Sequence, residues 1–397
     1  MQDPGSTLYL EINNLNFIFF VIKSDENNFK ITYKLDVPIN GIEEDRILDL
    51  EKSFIIIKEN IYLIEQKLNH TFKEIVLIVE NFNPTFINLT GFKKLNGSQV
   101  LKENITYILN TLKSCVDETE HKKTILHIFN SKHYLDDKKI ENLPIGLFGD
   151  LYSHELSFTL INSNDYKNLN YIFEKCNLKI KKVLIKSFVK GANISENLNN
   201  TGTFLQITIN QDNSKVIYFE NDSLKFTQKF NFGSSIIIKD ISKITALKKE
   251  TVKKILEKIE LKNEKLDNEL LEKEFFENNE YRKIKKKLIY DIALARIKEI
   301  SELLIFKNVN FKFYIKNSKD IFLEIDSAVN PKSLREIFKT IFAANNSFEV
   351  NFLNNLSFNS FSKTVYKLVQ YGWKKEAIPV SKSKKSIIAK FFDAIFG

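Results

Sequence analysis

Cysteine, methionine and long apolar stretches are scarce in this chain of 397 residues, and each scarcity excludes a class of protein. Two cysteines, Cys115 and Cys176, are too few for a disulfide framework and favour a reducing compartment such as the cytoplasm. The longest apolar runs, at 16–22 and 53–64, are far shorter than the roughly 20 residues that span a bilayer. The single methionine opens the segment MQDPGS, which we expect to stand outside the fold. We therefore predict a chain that does not cross a membrane.

What the chain does contain is enough apolar and charged material for a large globular protein. Its hydrophobic content is 43%, and its length favours two or more domains. The formal net charge of +9 suits an anionic lipid surface or a nucleic acid. The basic run at 281–288 lacks a base-stacking module and is interpreted as a solvated helix face, so we predict no nucleic-acid partner. His121, His127 and His133 recur at even spacing without a carboxylate partner, so we predict no metal site.

Strand-like and helix-like patterns alternate along the first half of the chain. Apolar runs at 8–23 and 29–37 predict a strand hairpin, which is followed by a helix at 45–69 and a buried strand at 74–80. A second block opens with another helix, for which Ser98 is the candidate N-cap. The predicted elements of this block are a helix over 95–116, strands at 123–135 and 155–161 on either side of a turn at 142–149, a helix at 164–176 and a strand at 181–188.

The strand-rich opening recurs at 202–233 as strand, turn, strand, turn and strand. This repetition predicts two related α/β lobes with an insertion in the first. From 236 to 306 the pattern is helical and densely charged, and from 311 strands and helices alternate again. Residues 374–386 carry a proline, three serines and five lysines, which predicts a flexible linker.

The segment 387–397 predicts an amphipathic helix. At 100° per residue its isoleucines and phenylalanines cover one half of the helix surface, and its polar residues cover the other. Lysines just upstream suit anionic headgroups, at about 1 kcal/mol each near such a surface. The predicted membrane-binding residues are Lys384, Lys385, Ile387, Ile388, Lys390, Phe391, Phe392, Ile395 and Phe396. One copy should bind weakly and reversibly, and the alternative is a helix that packs on its own globular body.

Four consecutive runs carry the most specific pattern in the chain. They are SQVLKENITYILNTLKSC, ILHIFNSKHYLDD, NLPIGLFGDLYSHELSFTLI and IFEKCNLKIKKVL. In order and spacing they resemble the inserted subdomain of the FtsA family, the actin-like bacterial cell division proteins. The similarity continues through FENDSLKFTQKFNFGSSIIIKDIS at 219–242, DIALARIKEISELL at 291–304 and YGW at 371–373, so it covers nearly the whole chain.

The resemblance implies an α/β fold of the actin-like class, which actin, Hsp70 and the sugar kinases share. It implies two lobes, with an FtsA-type 1C (SHS2-like) subdomain inserted in the first. Residues 8–82 and 162–200, completed by 350–373, would form subdomain 1A, and residues 83–161 would form 1C. Residues 201–235 with 307–349 would form 2A, and residues 236–306 would form the helical subdomain 2B. The linker at 374–386 and the membrane helix at 387–397 would follow.

The resemblance also points to three nucleotide-binding loops whose chemistry has been lost. An actin-type site needs glycine-rich turns around the phosphates and acidic residues around Mg²⁺. The matching stretches here, 11–16, 208–215 and 324–329, contain no glycine, and the aspartates of the first two are gone, one replaced by a lysine. The degenerate positions are Glu11, Asn13, Asn14, Asn16, Thr208, Asn210, Gln211, Asp212, Asn213, Lys215, Ile325 and Asp326.

These losses suggest a pseudo-ATPase with no cofactor and no catalytic residues. Asn13, Asn210 and Asn213 could keep the turns by adopting positive φ, which asparagine tolerates better than most residues, while the ligand is lost. The alternative left open is that ATP with Mg²⁺ still binds weakly through backbone contacts.

The partners are those that the resemblance implies. A member of this family would hold the C-terminal peptide of the tubulin-like FtsZ on subdomain 2B, where Arg296 matches the family's arginine. It would bind anionic lipids, form head-to-tail filaments with itself and contact other division proteins through subdomain 1C. Its place would be the cytoplasmic side of the bacterial inner membrane, at the division site. Two other functions remain open: an ATP-binding actin-like filament protein, and a pilus assembly platform like PilM.

Overall fold

The computed structural model describes residues 5–25, 28–43, 46–80, 82–197, 202–258, 269–276, 281–325, 332–344, 348–354 and 356–377. The chain divides into two compact units. The described residues of the first unit fall within 5–21, 32–183 and 371–377, and those of the second within 22–31 and 184–370. Residues 378–386 of the predicted linker and the whole predicted membrane helix lie outside the described residues.

A five-stranded sheet frames the first unit. Its strands are β1 (Ser6–Ile12), β2 (Asn16–Asp25), β3 (Asn28–Pro38), β6 (Glu74–Val79) and β11 (Lys179–Ile185), in the order β11-β6-β1-β2-β3. β1 and β6 run parallel, with Leu8 opposite Ile75. A parallel pair needs a crossover, and here the chain passes through the short strands β4 (Ile42–Glu43) and β5 (Arg46–Ile47) and then helix α1 (Leu50–Leu68).

A second five-stranded sheet, in the second unit, repeats this arrangement. Its strands are β12 (Phe204–Ile209), β13 (Ser214–Glu220), β14 (Ser223–Phe230), β15 (Asp320–Ile325) and β16 (Glu349–Phe352), in the order β14-β13-β12-β15-β16. β12, β13 and β14 are antiparallel, whereas β15 is parallel to both β12 and β16. In each sheet the first three strands lie side by side in chain order. Two later strands, β6 and β11 in the first sheet and β15 and β16 in the second, lie on the other side of the first strand. The two related lobes predicted from the sequence are therefore confirmed.

The central strands are buried on both faces, and for this reason their sequences are mostly apolar. In β12 all six residues, FLQITI, are buried, and in β6 all but the first residue of EIVLIV are buried. A parallel strand with chain packed on both faces has no solvated side and therefore loses the alternation of apolar and polar residues. The helices show a one-sided pattern instead, as in α1, where Ile57, Ile61 and Ile64 are buried.

The first unit carries an additional four-stranded subdomain between β6 and β11. It consists of β7 (Thr85–Lys94), α2 (Lys102–Thr119), β8 (Lys123–Leu135), β9 (Lys138–Ile140) and β10 (Leu151–Asn162), with the strand order β7-β10-β8-β9. α2 covers one face, and Gly91 lets it approach because a Cβ there would lie 2.6 Å from Ile108. Helix α3 (Ser163–Lys175) then leads back to β11. This subdomain is the insertion that the sequence predicted in the first lobe.

The second unit's crossover between β14 and β15 is long and largely helical. It includes α5 (Ser235–Thr245), α6 (Lys249–Lys258) and α7 (Lys286–Ser301), and α8 (Lys332–Ala344) connects β15 to β16. Apolar side chains from these helices and from the sheet form one core cluster, which includes Ile241, Ile255, Ile297 and Phe338. Most described residues of 236–306 are helical, as predicted, but Leu270 and Lys285 form an isolated β-bridge instead.

Two helices that are distant in sequence pack together in the second unit. α4 (Lys186–Asn197) follows β11, and α9 (Phe358–Gln370) follows β16. Asn193 donates a hydrogen bond of 2.8 Å to Thr364 Oγ1, and Lys367 pairs with Glu196 at 2.9 Å. Gly191 faces the Phe219 ring, where a Cβ would lie 1.9 Å from the ring, so α4 rests closely on β13.

Several local predictions were wrong. The run at 8–23 is two strands, because Asn13–Leu15 turn the chain between β1 and β2. Ser98 is not a cap: α2 begins at Lys102, and the Asn104 side chain accepts a hydrogen bond from the Leu101 amide. The predicted strand at 181–188 ends at Ile185, where α4 takes over. β7 had not been predicted.

The core of the second unit provides a test of this fold. Leu323 in β15 is fully buried between Ile207 of β12 and Phe352 of β16. We expect Leu323→Ala to lower the free energy of unfolding of this unit by about 2–5 kcal/mol, because it removes apolar contacts and leaves a cavity. Urea unfolding followed by circular dichroism measures the change. The control Leu48→Ala, at a side chain that is 64% exposed, should cost less than about 0.5 kcal/mol. Equal losses for the two variants would contradict this assignment of the core.

Candidate functional site

The turn between β1 and β2 contains the first predicted nucleotide loop. Glu11 and Ile12 end β1 and are buried, and Asn13 opens the turn. The Asn13 side-chain oxygen accepts hydrogen bonds from the amides of Leu15 and Asn16, both at 2.8 Å. The Asn13 amide in turn donates to the Asn16 carbonyl at 3.2 Å. Three amides of this turn are therefore used inside the turn itself.

The equivalent turn in the second unit, between β12 and β13, contains the second predicted loop. The Asn210 amide donates to the Asn213 carbonyl at 2.9 Å, and the Asn210 side chain donates to Asn213 Oδ1 at 2.8 Å. Asn13 and Asn210 thus occupy equivalent places after the first strand of each sheet. That these two turns are degenerate nucleotide loops stays a prediction.

The segment that leads into α5 packs directly behind the second loop. The amides of Ser234 and Ser235 donate to the carbonyls of Asn210 and Gln211, at 2.9 and 2.8 Å. Ser235 Oγ donates to Asp212 Oδ1 at 2.7 Å. Gly233 permits this approach, because a Cβ there would lie 2.1 Å from the Asn210 carbonyl oxygen. The acidic residue of this loop is therefore held by the protein's own serine.

The third predicted loop begins beside the second. In the sheet register Thr208 lies opposite Glu324, and Ile209 lies opposite Ile325, so β12 and β15 end at the same edge. Glu324 Oε2 accepts hydrogen bonds from Thr208 Oγ1 at 3.1 Å and from Lys190 Nζ of α4 at 2.9 Å. Asp326, the remaining degenerate position, lies outside the described residues.

A row of three side chains crosses the sheet at this edge. Lys215 of β13 lies opposite Thr208, which lies opposite Glu324, so all three belong to one face. The row carries the cation Lys215, and its carboxylate, Glu324, is paired with Lys190. The sequence comparison flagged Lys215 but missed Lys190, because no motif links a residue of α4 to the end of β15.

The asparagines maintain these turns in a different way from the one predicted. Asn13, Asn210 and Asn213 are absent from the described residues with positive φ, which do include Asn69, Asn96 and Asn177. The expectation of left-handed asparagines in the loops was therefore wrong. Hydrogen bonds from their side chains hold the turns instead, since a short amide side chain can bond to a nearby backbone group or to another amide.

Arg296, the predicted partner-binding residue, lies on α7 facing α5. Its guanidinium group is paired with Asp240 of α5 and with Glu299, the latter at 2.5 Å. The Arg296 side chain is 30% exposed, so it is neither fully solvated nor buried. An incoming carboxylate would have to compete with these two partners for the guanidinium group.

The predicted basic run at 281–288 is partly neutralised. Lys286 pairs with Glu269 at 3.1 Å and with Glu272 at 2.5 Å, and Lys287 pairs with Asp291 at 3.2 Å. The hydrogen bond from Lys286 lowers the pKa of the Glu272 carboxyl group. These pairs leave the run less basic than its sequence indicates.

The histidines have partners that the sequence did not reveal. Contrary to the prediction, His127 does contact a carboxylate, with 3.4 Å between its Nδ1 and Glu376 Oε1. The rings of His133 and His154 lie with centroids 4.5 Å apart, and burial lowers the pKa values of these two residues to about 4 and about 3. Among the described residues, no group of three or more histidine, cysteine or acidic side chains is arranged to hold a metal ion.

The predicted membrane-binding residues cannot be placed, since Lys384 to Phe396 lie outside the described residues. Within the described part of the chain, no helix is both long and apolar enough to cross a membrane.

One end of the four-stranded subdomain exposes several large apolar side chains. The stretches 97–101 and 146–150 run side by side there, joined by hydrogen bonds such as that from the Val100 amide to the Leu147 carbonyl, at 2.8 Å. We call the exposed residues of this region the apolar end: Leu101, Leu143, Ile145, Leu147 and Phe148. Where such side chains join into a patch of more than a few hundred Å², the surface marks an interaction site. The sequence analysis predicted the turn at 142–149 but not this exposure.

Duplicated five-stranded sheets of this topology, with an inserted subdomain in the first unit, define a protein of the actin-like ATPase fold. Within that class, the resemblance to FtsA is confirmed. The chain is similar to "Cell division protein FtsA" of Buchnera aphidicola subsp. Schizaphis graminum, at 26% identity over 51% of this chain and 48% of the relative. The same protein of Buchnera aphidicola subsp. Acyrthosiphon pisum is 23% identical over 55% of this chain and 51% of the relative. The match thus spans about half the length of these curated relatives.

Solved structures match more of the chain than the curated relatives do, but at lower sequence identity. A PilM–PilN type IV pilus biogenesis complex covers 91% of this chain and 95% of its own, at 10% identity and a TM-score of 0.49. MreB5 of Spiroplasma citri bound to ADP covers 92% and 96%, at 10% identity and a TM-score of 0.44. No protein-family model matches the chain.

The packing of Gly233 behind the second loop yields a test. We expect Gly233→Ala to destabilise the second unit by about 1–3 kcal/mol, because the added Cβ would clash with backbone carbonyl oxygens that have little freedom to move. Amide exchange of Ser234 and Ser235 should accelerate as their hydrogen bonds lengthen. The control Ser235→Ala removes one hydrogen bond and should cost about 0.5–1.5 kcal/mol. If urea unfolding and amide exchange do not distinguish the Gly233 variant from the control, the close packing described here is wrong.

Proposed function

We propose that this chain is a bacterial cell division protein that acts as an adaptor rather than as an enzyme. The observation that carries the proposal is its similarity to curated FtsA proteins over about half of the chain. The duplicated actin-like topology with an inserted subdomain supports it. In this role the chain tethers filaments of the tubulin-like FtsZ to the inner face of the cytoplasmic membrane at the division site.

The membrane half of the mechanism falls to the segment 384–397. Its apolar half inserts at the headgroup level, and Lys384, Lys385 and Lys390 attract anionic lipids. A short helix that must fold on arrival binds weakly in a single copy. Head-to-tail filaments of the actin-like body would present many such helices at once, and avidity would convert marginal contacts into stable attachment.

The protein-binding half falls to two surfaces. Arg296 of α7 and the adjacent helix α5 would bind the FtsZ C-terminal peptide. Asp240 and Glu299 would hold the guanidinium group in place until an acidic partner displaces one of them. The apolar end of the four-stranded subdomain would contact the neighbouring subunit or other division proteins. No nucleic-acid partner is part of this mechanism.

We further propose that no nucleotide is hydrolysed. Phosphate loops act by pointing unoccupied backbone amides at the ligand. Here the first turn uses the amides of Asn13, Leu15 and Asn16 internally, and the second uses the amide of Asn210. Asp212 is bound by Ser235, and Lys190 is paired with Glu324. The residues present therefore do not fit a phosphate group with its Mg²⁺, and no catalytic step is assigned to them.

Vesicle sedimentation tests the membrane function. With vesicles of phosphatidylglycerol and phosphatidylethanolamine, we expect the full chain to pellet and a chain ending at Ala377 to stay in the supernatant. A full-length control carrying Phe392→Glu and Phe396→Glu should behave like the truncation, because charge on the apolar half blocks insertion. High salt should weaken binding of the full chain by screening the lysines. A full chain that stays in the supernatant would remove the membrane half of the proposal.

Thermal unfolding in ATP and Mg²⁺ tests the nucleotide proposal. If ATP bound with a micromolar Kd, a concentration about a thousand times that Kd would stabilise the fold by about 4 kcal/mol. The midpoint temperature of unfolding would then rise measurably. We expect no shift in the full chain. A midpoint that rises and saturates with micromolar ATP would show that the altered loops still bind nucleotide.

A further inference from the structure

The segment Lys375–Ala377 pairs with β8 of the four-stranded subdomain through an isolated β-bridge. Glu376 lies antiparallel to Phe129 of β8. The Asn130 amide donates to the Lys375 carbonyl, and the Ala377 amide donates to the Ile128 carbonyl, both at 2.7 Å. Lys375 Nζ also donates to the Glu141 carbonyl at 3.2 Å. The predicted flexible linker therefore begins no earlier than residue 378.

The Glu376 side chain fixes this segment in place. Its two oxygens contact Lys182 Nζ of β11 at 2.8 Å and His127 Nδ1 of β8 at 3.4 Å, and the carboxylate is only 13% exposed. Burial opposes ionisation of Glu376, yet the hydrogen bond from His127 and the charge of Lys182 outweigh it and lower its pKa to about 2. Burial lowers the pKa of His127, so its ring is neutral near pH 7 and the contact is a hydrogen bond.

Apolar contacts complete the attachment. Ala377 is 8% exposed and belongs to a core cluster with Leu109 and Val116 of α2. Trp373, two residues before Lys375, is also 8% exposed, and its carbonyl accepts a hydrogen bond of 2.8 Å from the Glu376 amide. The last described residues are thus held by backbone pairing, a buried carboxylate and apolar packing together.

We propose that Lys375–Ala377 is a clasp that fixes, on the four-stranded subdomain, the point where the membrane tether leaves the body. This inference rests on the proposed membrane function for its consequence. Fully extended, residues 378–386 reach at most about 30 Å, whereas a chain free from residue 371 onward would reach about 55 Å. With the clasp closed, the four-stranded subdomain is held beside the bilayer, and the body has a defined orientation on the membrane.

Trp373 tests the clasp itself without any membrane. It is the one tryptophan of the chain, so its fluorescence comes from this site alone. We expect Glu376→Ala to raise the acrylamide quenching constant of Trp373 by about twofold or more, because local opening exposes the ring. Glu376→Gln, which keeps the shape but loses the charge, should give a smaller rise. Glu272→Ala breaks a more exposed carboxylate–lysine pair in the second unit and should leave the quenching unchanged.

Energy transfer to labelled lipid tests the consequence. Cys115 of α2 is exposed, whereas burial raises the pKa of the Cys176 thiol to about 11, so a maleimide dye at pH 7 reacts first with Cys115. Cys115 adjoins Val116, which packs in the same cluster as Ala377. On anionic vesicles carrying an acceptor lipid, we expect strong transfer for the full chain and for Glu272→Ala. Transfer should fall by about a third or more for Glu376→Ala, which keeps the membrane helix and so still pellets.

The outcomes separate the two proposals. If Glu376→Ala leaves the quenching of Trp373 unchanged, the clasp is overturned whatever the vesicles show. If quenching rises but lipid transfer stays equal in bound protein, the clasp exists and the orientation is overturned. If the full chain does not bind vesicles at all, the membrane function fails, while the quenching result still decides the clasp.

Discussion

The fold depends on one constraint, the parallel pairing of β1 with β6 and of β12 with β15. Parallel strands cannot be joined by a tight turn, so each pair needs a crossover that returns the chain to the same end of the sheet. In the first unit that crossover is α1, and in the second it is the helical segment from α5 to α7. The four-stranded subdomain occupies the next connection, between β6 and β11. What distinguishes the two units is therefore mostly the material placed in these connections.

The same constraint determines where the predicted nucleotide loops lie. The first strand of each sheet is followed at once by a turn, and β15 ends beside β12, so Asn13, Asn210 and Glu324 all occupy strand ends fixed by pairing register. A glycine-rich turn at such a place can offer its amides to a ligand. Asparagine side chains and the serines before α5 satisfy these turns from within the protein instead. The hydrogen-bonding groups named here are therefore used within the protein itself.

The sequence predicted the duplication and the insertion, whereas the assignment of the degenerate loops stays a prediction. These depend on apolar periodicity and motif order, which are local properties of the chain. Errors arose where a long-range contact decides the outcome. Glu376 stands in a lysine- and serine-rich stretch that looks like a linker, and only the fold brings it to His127 and Lys182. Lys190 and Glu324 are likewise distant in sequence. The prediction of positive φ at the loop asparagines was wrong, because hydrogen bonds of their side chains close the turns instead.

Glu376 is synthesised long after His127, and this delay affects folding during translation. Glu376 joins His127 across a sequence separation of 249 residues, so during synthesis β8 exists long before the segment that covers its edge. At the usual rate of translation the interval is on the order of ten to fifty seconds. An exposed strand edge is a template for pairing with other chains. Until residues 375–377 have been made and have folded onto β8, this part of the β8 edge is therefore open to such pairing.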